Sequence, residues 1–594
     1  MTTVPDVARK VIEEPDGLPS VGPKFARSVR QQAERARRLG SIGLLVSGLI
    51  TVISAVTPSL STRLQRVEDL LPVAVHQAVF LVAAVGGLVL IQLARGVRRG
   101  QRRAWWMAVV LLIVVVVTHT LKSIDIEESA ATALTGGYLL INHAYFRAPT
   151  DPVPLRRAVV PLFGGGFVAV LAAVVSVVFR RRSLSITRSV LAVVERLGTV
   201  SSVSIGGRLD HFLTPALAGV GATVVLGFAW LVVRPALWPL VNPDPIGRSR
   251  TIVDQYGFGT LAYFALRDDK RHWIYGDTLV SYGVYSGVCL VSPDPIGPTE
   301  ERVAAWAAFQ TFTTDHGWQL GVLGAGEDFL DVYEASGMRK LYVGDEGIVD
   351  VATFTLDGGP MKGLRQAVNR VANKGYTITF HDPAHVDSSL KAALLAMMAE
   401  SRKGDVERGF SMTLSRLFDP IDTGLLLAVC HGPDGTPVAF CQYVPAGVDG
   451  FSLDLMRRAI GEHPNGLTDF VLVRTIERLA ADGHRFLSLN FATMRAVLAG
   501  ESGAGRRHQV ERWALGRLSG SMQIESLWKY NAKFRPRWQP RFLVYHGSEN
   551  LVPIALAVAK AESIWELPVI GGLMKPRPSR GLVDNATSAT RREA

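Results

Sequence analysis

Residues 451–458 read Phe451-Ser452-Leu453-Asp454-Leu455-Met456-Arg457-Arg458 and place one carboxylate and two guanidinium groups in an apolar frame. The alternation from Phe451 to Leu455 predicts a strand, and Asp454 and Arg457 are expected where it passes into a turn or helix. A carboxylate at such a strand exit can bind an ammonium group, and a guanidinium can bind a phosphate or carbonyl oxygen. A structural salt bridge between Asp454 and Arg457 is the alternative interpretation.

A second stretch adds cations and aromatic rings. It reads Leu527-Trp528-Lys529-Tyr530-Asn531-Ala532-Lys533-Phe534-Arg535-Pro536-Arg537-Trp538-Gln539-Pro540-Arg541-Phe542. Cations beside flat rings suit phosphates and unpaired bases. An amphipathic surface segment is the other interpretation of this pattern.

The composition divides the chain into two parts. Long apolar runs concentrate before about Pro239, whereas charged residues are evenly mixed with apolar ones after it, which predicts a membrane half followed by a soluble half. The 594 residues carry a net charge of +12, which favours anionic partners such as lipid head groups or nucleic acid. The three cysteines form no CxxC pair, and no Walker loop, HExxH or zinc pattern occurs. We therefore expect buried thiols and no metal site.

Six apolar stretches, each near the ~20 residues that cross a bilayer, follow a basic N-terminus at 1–40. They form a transmembrane domain at 41–238 and lie at about 41–60, 72–95, 104–121, 129–147, 157–179 and 214–238. The basic loops near 95–103 and 147–157 predict a cytoplasmic N-terminus, so that six spans leave the C-terminal half in the cytoplasm. The arginines at 180–182 oppose this topology. The amphipathic segment 180–213 is expected to lie on the membrane surface or to re-enter it.

The soluble half is predicted as an α+β domain behind a linker at 239–250 that is rich in helix breakers. Helix and strand patterns recur in two units of ordinary domain size, 251–400 and 401–548. Residues 252–267 are expected to form a helix and then a strand. A C-terminal helix and a disordered tail are expected at 549–594. The apolar face at 552–565 is expected to pack on the domain or on the bilayer.

Further residues of the soluble half match a known family in order. They are Tyr275-Gly276-Asp277, Ser292-Pro293-Asp294-Pro295-Ile296-Gly297, Gly344-Asp345-Glu346, Leu364-Arg365-Gln366-Ala367-Val368-Asn369-Arg370, Glu407-Arg408-Gly409-Phe410-Ser411-Met412, Pro464-Asn465-Gly466 and Ser488-Leu489-Asn490-Phe491-Ala492. With the two stretches above, they make residues 250–548 resemble the cytosolic half of the phosphatidylglycerol lysyltransferases, the bacterial multiple peptide resistance factors. The likeness is to an actinobacterial branch, in which the synthase is fused to a lysyl-tRNA synthetase domain.

The resemblance implies a fold and an activity. The fold is a multi-pass helical membrane domain followed by tandem GNAT-like (acetyltransferase-type) folds. The activity is transfer of an amino acid from its tRNA to a membrane lipid. The glycine-rich pyrophosphate loop that a CoA-dependent GNAT enzyme needs does not occur in the sequence, so no cofactor is expected.

The resemblance also implies roles for individual residues. Asp454, helped by Glu525, would bind an ammonium group of the aminoacyl ester, Arg457 and Lys533 would hold phosphate and developing negative charge, and Asn490 would donate or accept a hydrogen bond at the ester. Asp454, Arg457, Asn490 and Lys533 form the expected catalytic set. The expected substrate-binding residues are Glu525, Arg458, Lys529, Tyr530, Asn531, Arg537, Trp538 and Arg541. Asn531 stands where many family members have lysine.

The expected partners are an aminoacyl-tRNA, with lysyl-tRNA favoured, and phosphatidylglycerol with other membrane lipids. A separate aminoacyl-tRNA synthetase would charge the tRNA; a homo-oligomer and movement of the product between leaflets are left open. One alternative is transfer of alanine or another amino acid to a lipid or to a peptidoglycan-type acceptor, as in the Fem-type transferases. The other is a non-catalytic, membrane-anchored module that binds tRNA or lipid.

Overall fold

The computed structural model describes residues 23–56, 73–123, 126–148, 152–180, 184–197, 203, 205, 207–233, 246–402, 409–414, 416–493, 529–547 and 550–562. Contacts separate two compact units, Met1–Asn242 with Ala307–Gln319 and Pro243–Trp306 with Leu320–Ala594. The first unit is built from helices and the second around a β-sheet. The predicted order of a helical domain followed by an α+β domain is therefore confirmed.

Seven α-helices are described within Met1–Asn242, the larger part of the first unit. They are α1 Pro23–Val56, α2 Val73–Arg98, α3 Arg102–Ser123, α4 Ile126–Ile141, α5 Pro152–Arg180, α6 Ile186–Leu197 and α7 Gly207–Val233. Among the residues described, Gln32–Ile53, Leu162–Phe179 and Phe212–Leu231 are long and apolar enough to cross a membrane. They expose large apolar side chains such as Leu49 and Phe167, as lipid-facing helices do. Six spans and a cytoplasmic C-terminal half stay predictions.

The segment between α5 and α7 contains a short helix fixed by a buried ion pair. α6 exposes Ile186 on one side and fully buries Arg196 on the other. Arg196 Nε donates to Asp210 Oδ1 of α7 at 2.9 Å, and Nη1 and Nη2 each donate to a backbone carbonyl, at 2.7 and 2.8 Å. The buried charge is thus fully matched, as a low-dielectric environment requires. Both predicted placements of residues 180–213 fit this amphipathic helix.

An eleven-stranded mixed sheet frames the second unit. Its strands are β1 Arg271–Tyr275, β2 Thr278–Tyr285, β3 Val288–Val291, β4 Gln319–Ala325, β5 Arg339–Asp350, β6 Thr377–His381, β7 Leu426–His431, β8 Pro437–Ala446, β9 Gly450–Arg458, β10 Phe486–Thr493 and β11 Arg537–Tyr545. The order is β1-β2-β3-β4-β11-β5-β10-β9-β8-β7-β6. β9 and β10 pair in parallel, whereas β5 pairs antiparallel with both β10 and β11. The chain therefore returns with β11 from the second half of the sheet into the first.

Helices cover both faces of the second half of the sheet. The helices described from residue 246 onward are α8 Ile246–Tyr256, α9 Thr299–Asp315, whose residues from Ala307 belong to the first unit, α10 Leu330–Ala335, α11 Lys362–Ala372, α12 Ser388–Arg402, α13 Leu467–Ala481 and α14 Leu551–Ala561. Ala428 and Cys430 of β7 pack in the core of α11 and α13, whereas Leu427 and Val429 pack in the core of α12. Strand side chains alternate between faces, so β7 is buried on both sides. All three cysteines are free and buried, as expected.

The C-terminal helix packs on the domain. Ile554, Ala557 and Ala561 of α14 share a core with Leu290 of β3 and Leu543 of β11. Of the two placements predicted for the apolar face at 552–565, packing on the sheet is the one observed for Leu551–Ala561.

Two sequence-based expectations are wrong. α8 is followed by a 3-10 helix at Ala262–Leu266 instead of a strand, and all five of its residues are buried. A short apolar run without alternation does not distinguish a buried turn from a buried strand. Asp454 does not stand at a strand exit, because β9 continues to Arg458. The unit boundary at residue 400 stays a prediction; β6, which precedes it, pairs with β7, which follows it.

Candidate functional site

β9 contains a β-bulge at Asp454. Gln442 of β8 lies opposite Leu455, and the next residue of β8 lies opposite Leu453, so Asp454 is the extra residue. A bulge re-aims one side chain of an otherwise regular strand. The Asp454 carboxylate, 5% exposed, accepts hydrogen bonds from Leu414 N at 2.6 Å and Gln442 Nε2 at 2.7 Å. Burial raises the pKa of Asp454 to about 6, although these two donors oppose the shift.

Arg457 and Arg458 close β9. Arg457 is half-buried, and its Nη1 donates to the Met456 carbonyl at 2.9 Å. Burial lowers the pKa of Arg457, and the nearby charge of Asp454 opposes that effect. Arg458 is exposed. Asp454 accepts its hydrogen bonds from Leu414 and from Gln442 of β8. These bonds give no support to a salt bridge between Asp454 and Arg457.

A second bulge lies in β10, the parallel neighbour of β9. Ser488 and Phe491 pair with residues of β5 that lie only two apart, so Leu489 and Asn490 share the space of one residue. Asn490 has a φ of +65°. This left-handed conformation costs free energy in a residue other than glycine, and such residues concentrate at functional sites. We call Ser488–Asn490 the β10 bulge.

The Asn490 amide is held on one side and open on the other. Its Nδ2 donates to the carbonyls of Met412, at 3.2 Å, and Leu453. Its Oδ1 is buried and has no hydrogen-bond partner among the residues described. Because both amide hydrogens are directed at carbonyl groups, the unused capacity of Asn490 is to accept a hydrogen bond.

Three hydrogen-bond networks meet at the β10 bulge. Ser488 Oγ donates to Glu346 of β5 and accepts from Asn490 N at 3.1 Å. The Leu489 carbonyl accepts from the Nδ2 of buried Asn531 at 3.4 Å. With the contact from Asn490 to Leu453, beside Asp454, these bonds connect β5, β9 and the segment that precedes β11.

Arg541 is committed to a buried ion pair. Its Nε donates to Glu346 Oε2 at 2.8 Å and its Nη2 donates to the same oxygen and to Thr260 Oγ1 at 2.8 Å. Glu346 is fully buried. Burial alone would lower the pKa of Arg541, but the charge and hydrogen bonds of Glu346 outweigh it and the pKa is raised. Removing one member of such a pair leaves an uncompensated buried charge.

Lys533 is an anchored cation that still reaches solvent. Its Nζ lies 3.2 Å from Asp469 Oδ2, in the first turn of α13, and 4.7 Å from the centroid of the Tyr530 ring. The Lys533 side chain is 46% exposed, whereas Asp469 is 8% exposed. Burial raises the pKa of Tyr530, and the charge of Asp469 adds to the shift. The arrangement holds an ammonium group at a fixed place at the surface.

Trp538 lies next to the β10 bulge through a glycine. Trp538 pairs with Gly347 of β5. On the other edge of β5, Gly347 lies opposite Leu489 and Asn490 of the β10 bulge. A Cβ on Gly347 would lie 3.3 Å from Trp538 Cζ3, so glycine leaves the room that the indole ring occupies. Arg537 and Lys529 are exposed. Glu525 lies outside the described residues.

The structure brings together part of the predicted set. Asp454, Asn490, Asn531 and Arg541 meet around the β10 bulge, whereas Lys533 and Tyr530 lie at α13 and Arg458, Lys529 and Arg537 lie at the surface. Sequence reasoning gave no role to Glu346, Gln442, Asp469 or Ser488. Gln442 could have been found, because it is polar in an apolar strand and buried polar groups need partners. Within the described ranges, no cluster of His, Cys, Asp and Glu could hold a metal ion.

Comparisons with known proteins match the part of the chain that contains the candidate site. Residues 250–545 match the family model described as phosphatidylglycerol lysyltransferase, C-terminal. The chain is 35% identical over 358 residues to the lysylphosphatidylglycerol biosynthesis bifunctional protein LysX of Mycobacterium ulcerans, covering 59% of this chain and 32% of that protein. It is 34% identical over 388 residues to the protein of the same name from Rhodococcus opacus, covering 64% and 34%. The match spans about a third of the length of these curated relatives.

Solved structures show more distant likenesses. The structure of L-PGS from Bacillus licheniformis is 22% identical with a TM-score of 0.48, covering 54% of this chain and 97% of that one. A tandem GNAT protein from the clavulanic acid biosynthesis pathway is 11% identical with a TM-score of 0.29, covering 52% and 89%.

Proposed function

We infer the activity of this chain from the premise that its residues 250–545 belong to the phosphatidylglycerol lysyltransferase C-terminal family. The proposed reaction moves a lysyl group from lysyl-tRNA to a glycerol hydroxyl of phosphatidylglycerol and yields a cationic membrane lipid. One observation carries the proposal: Asp454, Asn490, Asn531 and Arg541 meet at the β10 bulge, inside the residues that match the family. The names of the relatives, which are lysylphosphatidylglycerol biosynthesis proteins, favour lysine over alanine.

The proposed chemistry is a direct acyl transfer between two oxygen atoms. The lipid hydroxyl attacks the ester carbonyl carbon, the bond from that carbon to the ribose oxygen of the tRNA breaks, and the hydroxyl proton ends on that ribose oxygen. The aminoacyl ester is already activated, so the step needs no further energy source. The protein has to orient the two substrates and stabilise the oxyanion that forms on the carbonyl.

The hydrogen-bond capacity of Asn490 limits its role. The carbonyls of Met412 and Leu453 already take hydrogen bonds from its Nδ2, so Asn490 does not donate to the ester carbonyl. Its Oδ1, which has no partner within the described residues, suits a group that brings a hydrogen, which is the attacking hydroxyl or the aminoacyl ammonium. Both oxygens of Asp454 accept protein N–H groups, so Asp454 favours an ammonium through its charge across a low-dielectric site.

The cations of the candidate site are proposed to bind phosphate. Lys533 is anchored by Asp469 and reaches solvent, and Arg457 is half-buried at the end of β9. Arg458, Arg537 and Lys529 add exposed positive charge. Ammonium and guanidinium groups bind phosphate oxygens through charge-assisted hydrogen bonds. The phosphates of the tRNA end and of the lipid head group are the proposed ligands.

The chain is proposed to act at the cytoplasmic side of the cell membrane. The three candidate membrane helices support membrane attachment. Six spans with a cytoplasmic C-terminal half would place the transferase domain where charged tRNA occurs. A separate aminoacyl-tRNA synthetase is the proposed source of lysyl-tRNA, and the oligomeric state belongs to the same set of proposals.

Lipid analysis in a host without aminoacyl lipids tests the proposed function. Membranes that contain the full chain are incubated with labelled lysine, tRNA, synthetase and ATP, and the lipids are separated by thin-layer chromatography. We expect a labelled, ninhydrin-positive lipid whose formation stops when the tRNA is digested with RNase. If lipid is labelled only when the labelled amino acid is alanine, alanine and not lysine is the amino acid transferred. Transfer that survives RNase, or an unchanged lipid pattern with every amino acid, would refute the proposal.

A further inference from the structure

A six-residue segment before β7, Gly409–Leu414, forms neither helix nor strand and is held by side chains. We call it the 409–414 segment. Phe410, Ser411 and Leu414 in it are fully buried. A buried loop needs partners for its backbone polar groups, because unmatched ones cost free energy. Here the partners are charged and amide side chains from four separate parts of the chain.

One partner is Glu562, which follows the C-terminal helix α14. Its Oε2 accepts from Phe410 N at 3.1 Å, and its Oε1 accepts from Ser411 N at 3.3 Å and Ser411 Oγ at 2.8 Å. Burial raises the pKa of Glu562, while the bonds from Ser411 and the charges of Arg267 and Lys270 oppose the shift. Hydrogen bonds to a carboxylate are stronger than those between neutral groups. Glu562 lies outside residues 250–545, the part that matches the family model.

Two buried basic side chains hold the same segment. Arg267 Nη1 donates to the carbonyls of Gly409 and Thr413 at 2.8 and 3.0 Å and to Thr413 Oγ1 at 2.7 Å. Lys270 lies against the Phe410 ring, with its Nζ 4.6 Å from the ring centroid and 2.7 Å from the Ser292 carbonyl. Buried charges are expensive unless they are matched, and a hydrophobic contact would stabilise a loop at lower cost. The arrangement therefore favours one defined conformation of the segment over simple stability.

The other end of the 409–414 segment meets the candidate site. Asn490 Nδ2 donates to the Met412 carbonyl at 3.2 Å, and Leu414 N donates to Asp454 Oδ1 at 2.6 Å. Met412 follows Ser411 directly in the chain. The carboxylate of Glu562 and the amide of Asn490 therefore hold adjacent residues, and a shift at Ser411 moves the group that orients Asn490.

We propose that Glu562 is a positioning residue for the acyl transfer: it fixes Phe410 and Ser411, and through them the carbonyl and N–H groups that orient Asn490 and Asp454. The C-terminal helix α14 thereby belongs to the working parts of the transferase domain. This inference rests on the proposed function for its kinetic consequence. The structural part, that Glu562 holds the 409–414 segment, does not depend on the proposed function.

Glu562→Gln in the full chain tests the inference. Glutamine keeps the size of the side chain but turns one acceptor into an N–H donor, which then faces a backbone N–H. We expect kcat to fall at least tenfold, about 1.4 kcal/mol in activation free energy, with KM for both substrates within twofold. The matched control is Lys560→Gln, because Lys560 is exposed on the same helix. It should leave kcat and KM unchanged.

Hydrogen exchange followed by mass spectrometry gives a readout that does not depend on activity. In Glu562→Gln, amides of the 409–414 segment should exchange at least tenfold faster, while those of Leu551–Ala561 keep their protection. Ser411→Ala removes one of the donors without touching the carboxylate and is a second, milder variant. Its effect on kcat should not add to that of Glu562→Gln, because both changes break the same contact.

The outcomes separate the inference from the function on which it rests. Unchanged exchange in the 409–414 segment, or a kcat within twofold of the parent, overturns the positioning role. A lowered melting temperature with normal kcat at low temperature does so as well, because Glu562 would then serve stability alone. If the parent chain makes no lysyl lipid, the proposed function fails, while the exchange experiment still decides whether Glu562 holds the segment.

Discussion

Replacing Asp454 with asparagine should change how the stability of this protein depends on pH. Asp454 is 5% exposed, with one oxygen bound to Leu414 N and the other to Gln442 Nε2. Asn keeps the shape of the side chain but presents an NH₂ group to one of these donors. That mismatch should cost ~1–3 kcal/mol relative to the ionised parent. The ionisation of Asp454 adds a second effect that only the parent protein has.

The second effect follows from the raised pKa of Asp454. Its folded value of about 6 lies above the ~3.9 expected for an unfolded chain. Between these values, the folded protein holds a proton that the unfolded chain has released, so stability falls as pH rises through this window. The loss is complete above the folded pKa. A shift of roughly two units corresponds to ~3 kcal/mol.

The measurable quantity is the difference in stability between parent and Asp454→Asn. It should fall by ~2 kcal/mol, or about 4 °C in melting midpoint, between pH 4 and pH 7, with the parent losing stability relative to the variant. Thermal unfolding of both proteins in the same detergent at several pH values gives it directly. Asp449→Asn is the matched control, since Asp449 is exposed just before β9, and its difference from the parent should vary much less. A constant difference between parent and Asp454→Asn across this range would refute a carboxylate that titrates near neutral pH while it holds Leu414.

Three further predictions test other parts of the site. Arg541→Ala should lower the free energy of unfolding by ~3–5 kcal/mol in urea titration, because Glu346 stays buried without its cation. The control Arg537→Ala, at an exposed residue, should change it by less than ~0.5 kcal/mol. Equal effects of the two substitutions would contradict a buried ion pair between Arg541 and Glu346. Arg457→Ala should lower turnover roughly ten- to hundredfold with a near-normal melting midpoint, since one charged hydrogen bond to substrate contributes ~1.5–3 kcal/mol; retained turnover would remove Arg457 from the site. Residues 240–575 alone should fold and transfer lysine to detergent-dispersed lipid, and a folded but inert fragment would show that the membrane helices contribute to the reaction.

The regular elements could be predicted because their patterns are local. The apolar residues at 467–482 recur with the period of a helix, and the structure has α13 at Leu467–Ala481. Residues 438–444 are a short, nearly continuous apolar run, which is typical of a strand buried on both faces, and β8 runs from Pro437 to Ala446. The six apolar stretches overlap α1–α5 and α7 in the described part of the chain. In each case one stretch of sequence contains its own signal, because burial on one face or along one strand repeats with a fixed period.

The geometry of the site could not be predicted in the same way. A β-bulge adds one residue to a strand, and the alternation of Phe451 to Leu455 gives no sign that Asp454 is that residue. The place of β11 between β4 and β5 depends on pairing across more than 180 residues of sequence, as in the contact of Leu543 with Leu341. Arg541 was therefore predicted only as a substrate-binding residue. Its buried partner, Glu346, becomes visible only when the strands are in register.

The β10 bulge explains why the predicted residues cannot act independently. Ser488, Leu489 and Asn490 are consecutive, and each is bonded to a different network: Ser488 to the ion pair of Arg541, Leu489 to Asn531, and Asn490 to the neighbourhood of Asp454. The left-handed backbone at Asn490 persists only while these surroundings hold it. A change in any one network therefore alters the backbone that the others share, and its cost includes part of theirs. For this reason, a single variant at the bulge should lose more activity than its own contact contributes. A double variant should lose less activity than the sum of the two single losses.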